Sequence, residues 1–67
     1  MQQIQRIVQK AIDELELDHK EVVVLRDIED FSYEEIAQIL NIADGTTKSR
    51  LHRARMVVKE KLKKALS

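Results

Sequence analysis

The chain of 67 residues has no cysteine, no proline and no tryptophan, and a single residue each of glycine, tyrosine and phenylalanine. Without cysteine there is no disulfide framework, no zinc finger and no thiol chemistry. Without proline and with one glycine, little interrupts helices, and there is no Gly-rich phosphate loop and no Gly-rich hairpin signal. The longest apolar run is Val22-Val23-Val24-Leu25, too short for a transmembrane helix, and Met1-Gln2-Gln3 opens no signal peptide. A cytoplasmic protein with no membrane partner is expected. What remains is 43% hydrophobic and 36% charged, the balance of a small globular domain. A core this size commonly supplies only about 3–5 kcal/mol, which favours a binding module over an enzyme with a deep pocket.

The net charge of zero hides a division. Residues 1–44 hold four basic side chains against eleven acidic, a net −7. Residues 45–67 hold Lys48, Arg50, Arg53, Arg55, Lys59, Lys61, Lys63 and Lys64 against Glu60 alone, a net +7. Such a split points to a polyanion partner for the C-terminal segment.

Periodicity predicts an all-α, compact four-helix domain spanning 1–67, with helices at about 2–16, 18–29, 32–40 and 44–66. Ile4, Ile7, Val8, Ala11, Ile12 and Leu15 recur at spacings of three and four, one face of an amphipathic helix. Asp18, with Glu21 three residues on, reads as an N-cap and its capping-box partner. The second helix is then expected to turn Val22, Leu25 and Ile28 inward. Ser32-Tyr33-Glu34-Glu35 is a second capping box, with Phe31 and Ile36 placed for a hydrophobic staple. Ile36, Ala37, Ile39 and Leu40 are expected to be buried or partly buried, with Ile42 plugging the core from the turn. Asn41 can end that helix because it tolerates left-handed backbone. In the fourth helix Leu51, Ala54, Val58, Leu62 and Ala65 line the inner face.

A short capped helix, a tight turn and a second helix with a basic first half form a helix-turn-helix, here without winged elements. That arrangement puts the second helix into the DNA major groove. Opposite the inner face stand Lys48, Ser49, His52 and Arg53. Lys48 and Arg53 can donate to guanine O6 and N7, Ser49 can bond several bases, and His52 can donate to a base or a phosphate. Thr46 and the helix N-terminus suit a phosphate, and Arg50 flanks the face. Arg55 reads as an intradomain salt-bridge residue, Tyr33 as a surface or packing residue, and Lys59, Lys61, Lys63 and Lys64 as solubility or weak phosphate contacts. The acidic set Asp27, Glu29, Asp30, Glu34 and Glu35 lacks calcium-loop spacing, and His19 and His52 have no second ligand. No metal, no cofactor and no catalytic residue is expected.

The stretch from Asp18 to Leu40, ending Phe31-Ser32-Tyr33-Glu34-Glu35-Ile36-Ala37-Gln38-Ile39-Leu40, resembles region 4 of bacterial sigma factors, most closely the extracytoplasmic-function (ECF) group. Gly45-Thr46-Thr47-Lys48-Ser49-Arg50-Leu51-His52-Arg53-Ala54-Arg55 is similar to that group's recognition-helix signature. The resemblance covers about Leu15 to Leu62. It implies a domain that reads the promoter −35 element and grips the β-flap tip helix of RNA polymerase through an apolar groove on the earlier helices. Lys48, Ser49 and Arg53 would make the DNA contacts, with Thr46, Arg50 and His52 beside them. Val23, Val24, Ile28 and Phe31 would suit the polymerase groove, and an anti-sigma factor commonly covers the same surfaces. Glu16 stands where the family often has proline, Asn41 and Ala43 where the turn often has glycine and proline, and Thr47 where valine is usual. Region 2 is absent, so the chain is expected to be a fragment or a stand-alone region-4-like protein, and a monomer. Two alternatives remain at this point: the helix-turn-helix domain of a response-regulator-type protein, and a protein-interaction module without a DNA role.

Overall fold

The computed structural model describes residues 2–67; Met1, the first residue of the expected domain, lies outside them. Helix α1 spans Gln2–Asp13 and α2 spans Leu17–Val23, running on into a π-helical turn, Val24–Ile28. Helix α3 spans Tyr33–Leu40 and α4 spans Asp44–Leu66. Among the described residues there is no strand. Helix α4 packs against α1, α2 and α3 and is the spine of the fold. Its 23 residues at 1.5 Å each run about 34 Å, which accounts for the 37 Å long axis.

The periodic face of α1 tapers. Ala11, Ile12 and Leu15 are buried, Ile7 and Val8 half-buried, and Ile4 exposed. The helix ends three residues earlier than the spacing predicted. The Leu15 N–H bonds the Ile12 carbonyl, a tight three-residue closure, so Leu15 enters the core from the turn rather than from the helix.

Helix α2 also departs from expectation at its start. Its N-cap is Glu16, without a side-chain cap. Asp18 lies two residues on, within the first turn, where its carboxylate accepts the His19 N–H at 2.9 Å, and the box with Glu21 does not form. An acid in the first turn still meets the positive end of the helix dipole. Further along, Val22 and Val23 are both core, Leu25 is half-buried and Ile28 is 54% exposed. The π-helical turn is the reason: one extra residue rotates everything after Val23 relative to a regular helix. The turn closes through Glu29 N–H to Val24 carbonyl and Phe31 N–H to Leu25 carbonyl. Asp30 takes the left-handed conformation, φ 64°, which a short polar side chain tolerates.

Helix α3 follows its sequence signals. Ser32 Oγ accepts the Glu35 N–H at 3.1 Å, and the Glu35 carboxylate accepts the Ser32 N–H at 2.9 Å. Phe31 packs on the core cluster that contains the fully buried Ile36. At the far end Asn41 is left-handed, φ 56° and ψ 50°. Its N–H bonds the Gln38 carbonyl while the Ile42 N–H bonds the Ala37 carbonyl, the paired closure of a Schellman motif. Ala37 is buried and Ile42 half-buried, whereas Ile39 is largely exposed.

The capping box has a pH signature. Hydrogen bonds from the Ser32 backbone, then from its hydroxyl, hold the Glu35 carboxyl below its usual value. A lowered folded-state pKa gives stability that is present above the unfolded pKa and lost as pH falls through the folded one. Glu35→Gln keeps an oxygen that accepts the Ser32 N–H but has no proton to gain. The melting temperatures of parent and variant, followed by circular dichroism, should therefore differ least in acid and most near neutrality. A pH-independent difference would show that the ionised box contributes nothing in solution.

Candidate nucleic-acid interface

Helix α4 sorts its side chains by phase. Thr47, Leu51 and Ala54 are buried and Val58 and Leu62 half-buried, all toward the other helices. Ala65, expected in the same row, is exposed. It lies on the rim of a shallow groove with Ile7, Lys10 and Lys64, where α1 alone meets α4 and does not cover it.

Lys48, Ser49, His52 and Arg53 are all exposed. Lys48 and His52 are four apart, as are Ser49 and Arg53, so the four form two adjacent rows on one face. Thr46 and Arg50, also four apart, are half-buried on the flank. The six sequence candidates therefore share the first half of one helix, with the core behind them and the turn from α3 beside them. Among the described residues none of Lys48, Arg50 and Arg53 is in an ion pair; the ion pairs are Lys20–Asp13, Arg55–Asp27 and Lys61–Glu14.

Those pairs separate structural cations from free ones. Arg55 donates through Nε and Nη2 to the two Asp27 oxygens, as its intradomain role required. Asp27 raises the Arg55 pKa above its already high value, and Tyr33 adds to the effect. Lys61, expected to be a solvated lysine, is bound to Glu14 of the α1–α2 turn at 3.2 Å because the last third of α4 lies along α1. Exposed pairs of this kind are worth about 0–1 kcal/mol.

The start of α4 is open. Its N-cap is Ala43, which has no capping side chain. The first intrahelical bond is the Thr47 N–H to the Ala43 carbonyl at 3.1 Å, so the N–H groups of the preceding turn have no helical acceptor. A Cβ on Gly45 would meet nothing within 4 Å. Asp44 lies in this same turn. Thr47 is fully buried, and its hydroxyl donates to the Ala43 carbonyl at 3.3 Å. That carbonyl already accepts the Thr47 N–H. Thr47→Val would bury a methyl and orphan no partner. Urea unfolding should show it unchanged to about 1 kcal/mol more stable; a loss above about 1 kcal/mol would mean that the hydroxyl holds the turn.

Two features escaped sequence reasoning. The first is a cluster on Tyr33: the Arg26 guanidinium lies 5.1 Å from the ring centre and the Lys48 ammonium 5.9 Å. Arg26 and Tyr33 meet across the π-helical turn and the left-handed Asp30, which no periodicity signals. The second is an apolar groove between α2 and α3, lined by Leu17, Val24, Leu25, Ile39 and Leu40 with Lys20 and Glu21. Of the four residues proposed for a polymerase groove only Val24 lies in it. Val23 is core, Phe31 packs on the core, and Ile28 is exposed outside the groove. The exposed Leu17 and Ile39 could have suggested it, since neither fits the inward face of its helix. Among the described residues no helix is long and apolar enough to cross a membrane, and no group of acidic and histidine side chains could hold a metal ion.

Comparison with known proteins agrees with this geometry. The family model for sigma-70, region 4, matches residues 5–57. The chain is 40% identical over 60 residues to the ECF RNA polymerase sigma-E factor of Haemophilus influenzae, covering 90% of this chain and 32% of that protein. It is 44% identical over 57 residues to the ECF RNA polymerase sigma factor SigE of Mycolicibacterium smegmatis, covering 85% and 22%. With the ECF RNA polymerase sigma-E factor of Escherichia coli K12 it shares 36% over 61 residues, covering 91% and 32%. The chain thus spans less than a third of the length of these curated relatives. A capped α3, a turn closed by Asn41 and the basic first half of α4 lie inside the matched segment, and the chain belongs to the sigma-70 region 4 family.

Proposed function

We propose that residues 1–67 form one unit, the promoter-reading region 4 of an ECF sigma factor, in which α4 enters the major groove of the −35 element. The observation that carries this is the face of Lys48, Ser49, His52 and Arg53, exposed and, among the described residues, free of internal ion pairs. The major groove, about 12 Å wide, admits one helix. Lys48 and Arg53 donate to guanine edges, Ser49 and His52 to bases or phosphates. The Thr46 hydroxyl and the open N–H groups at the start of α4 meet a phosphate, and Arg50 meets another from the flank.

The groove of Leu17, Val24, Leu25, Ile39 and Leu40 is proposed as the seat of the polymerase β flap, and an anti-sigma factor would silence the domain by covering it. These partners put the protein in the bacterial cytoplasm. Such a domain carries no active site and needs no cofactor.

Fluorescence anisotropy with a labelled duplex library, across a salt series and with a β-flap peptide titrated in parallel, tests the reading. Sequence-selective, salt-sensitive DNA binding together with flap binding supports it. DNA binding without flap binding indicates a different kind of helix-turn-helix regulator. Binding of neither removes the DNA role from the basic face.

A further inference from the structure

Tyr33, the first residue of α3, gathers cations. The Arg26 guanidinium over its ring is itself tied down, because Nη1 donates to the Phe31 carbonyl at 2.9 Å. Arg55 is held by Asp27, whose hydrogen bond is the main cause of its raised pKa, and Tyr33 raises it further. The third cation is different in kind. Lys48 is exposed and belongs to the reading face, and among the described residues its ammonium has the Tyr33 ring as its one partner.

A carboxylate in that place would order Lys48 by cancelling its charge, and would then compete with DNA. An aromatic ring attracts an ammonium through its quadrupole and leaves the charge intact. A lysine already gathered to one side loses less rotamer freedom on binding. We propose that Tyr33, fixed by Arg26, is a positioning residue for DNA recognition that holds Lys48 ready on the α3 side of the reading face. The inference rests on the DNA-reading function proposed above and names a residue that acts through Lys48 without touching a base.

The test combines NMR of the free chain with DNA titrations of Tyr33→Phe, Tyr33→Leu, Lys48→Met and the double variant Tyr33→Leu/Lys48→Met. The ring current should shift the Lys48 Hε protons upfield in the parent and in Tyr33→Phe, and the shift should vanish in Tyr33→Leu. Tyr33→Leu should weaken binding to the preferred duplex about two- to fivefold, Tyr33→Phe should bind as the parent does, and in the Lys48→Met background Tyr33→Leu should have no further effect. Arg26→Met, which frees the ring without removing it, should reduce the Lys48 shift even if Tyr33→Leu fails to fold. Unshifted Lys48 protons in the parent overturn the proposal, and so does a Tyr33→Leu loss that persists in full with Lys48→Met. A parent that binds no duplex while its Lys48 protons remain shifted overturns the DNA reading itself, and the two failures are thereby told apart.

Discussion

Leu51→Ala is expected to leave the chain largely unfolded at 25 °C. Leu51 is among the largest fully buried side chains, and it belongs to the cluster that joins Ile12 and Leu15 to Val22, Val23, Ile36 and Ala54. Deleting its isobutyl group costs the transfer energy of the lost atoms and leaves a cavity, together about 2–5 kcal/mol. A domain of this size has roughly that much stability in total. Larger proteins absorb such a loss, and this one has no reserve. Leu51→Met, which keeps the volume, should cost less than about 1.5 kcal/mol. Urea unfolding followed by far-UV circular dichroism checks both. An Ala variant that folds within about 1 kcal/mol of the parent would mean that α4 is not packed on the other helices as described.

Arg53→Ala and Lys48→Ala should alter which sequences the domain selects while leaving its fold intact. Each loss of a guanine contact is expected to weaken the preferred duplex by about 1–3 kcal/mol, roughly five- to 150-fold, and to relax discrimination at one base position. On a duplex of unrelated sequence the penalty should be smaller. Lys63→Ala should change little, because Lys63 lies at least ten residues, nearly three turns, beyond the reading face. Three variants that weaken every duplex to the same degree would show that this face supplies charge without reading bases.

The legible parts of the fold are those written in local chemistry. Ser32 and Glu35 announce the start of α3 because both partners of the box lie within four residues. Asn41 announces its end because few other residues accept left-handed backbone so readily. The buried row of α4 follows from spacing, and the exposed row of Lys48, Ser49, His52 and Arg53 then follows as its complement. Arg55 is legible for a related reason: its spacing puts it at the flank of that face, where an acidic side chain of the domain can reach it. The illegible parts depend on contacts between segments far apart in the chain. Lys61 is free or bound according to where Glu14 lies, 47 residues away. The cap at Glu16 and the early end of α1 reflect how Leu15 reaches the core. The groove of Leu17, Val24, Leu25, Ile39 and Leu40 exists only once α2 and α3 are side by side, which is why candidates chosen along one helix missed it.

The wide turn at Val24–Ile28 is equivalent to an indel carried inside a helix. An α-helical residue occupies about 100° of rotation, and one surplus residue turns all that follows by about that angle. Arg26 and Asp27 thereby point at Tyr33 and Arg55, and Val24 and Leu25 line the groove on another side of the same element. Removing a single residue from this segment would restore regular winding and swing both anchors away from their partners while the hydrophobic composition barely changed. A relative that lacks the surplus residue would have to carry its equivalents of Arg26 and Asp27 one position displaced. An ungapped alignment through that segment would then match residues that occupy different sides of the helix.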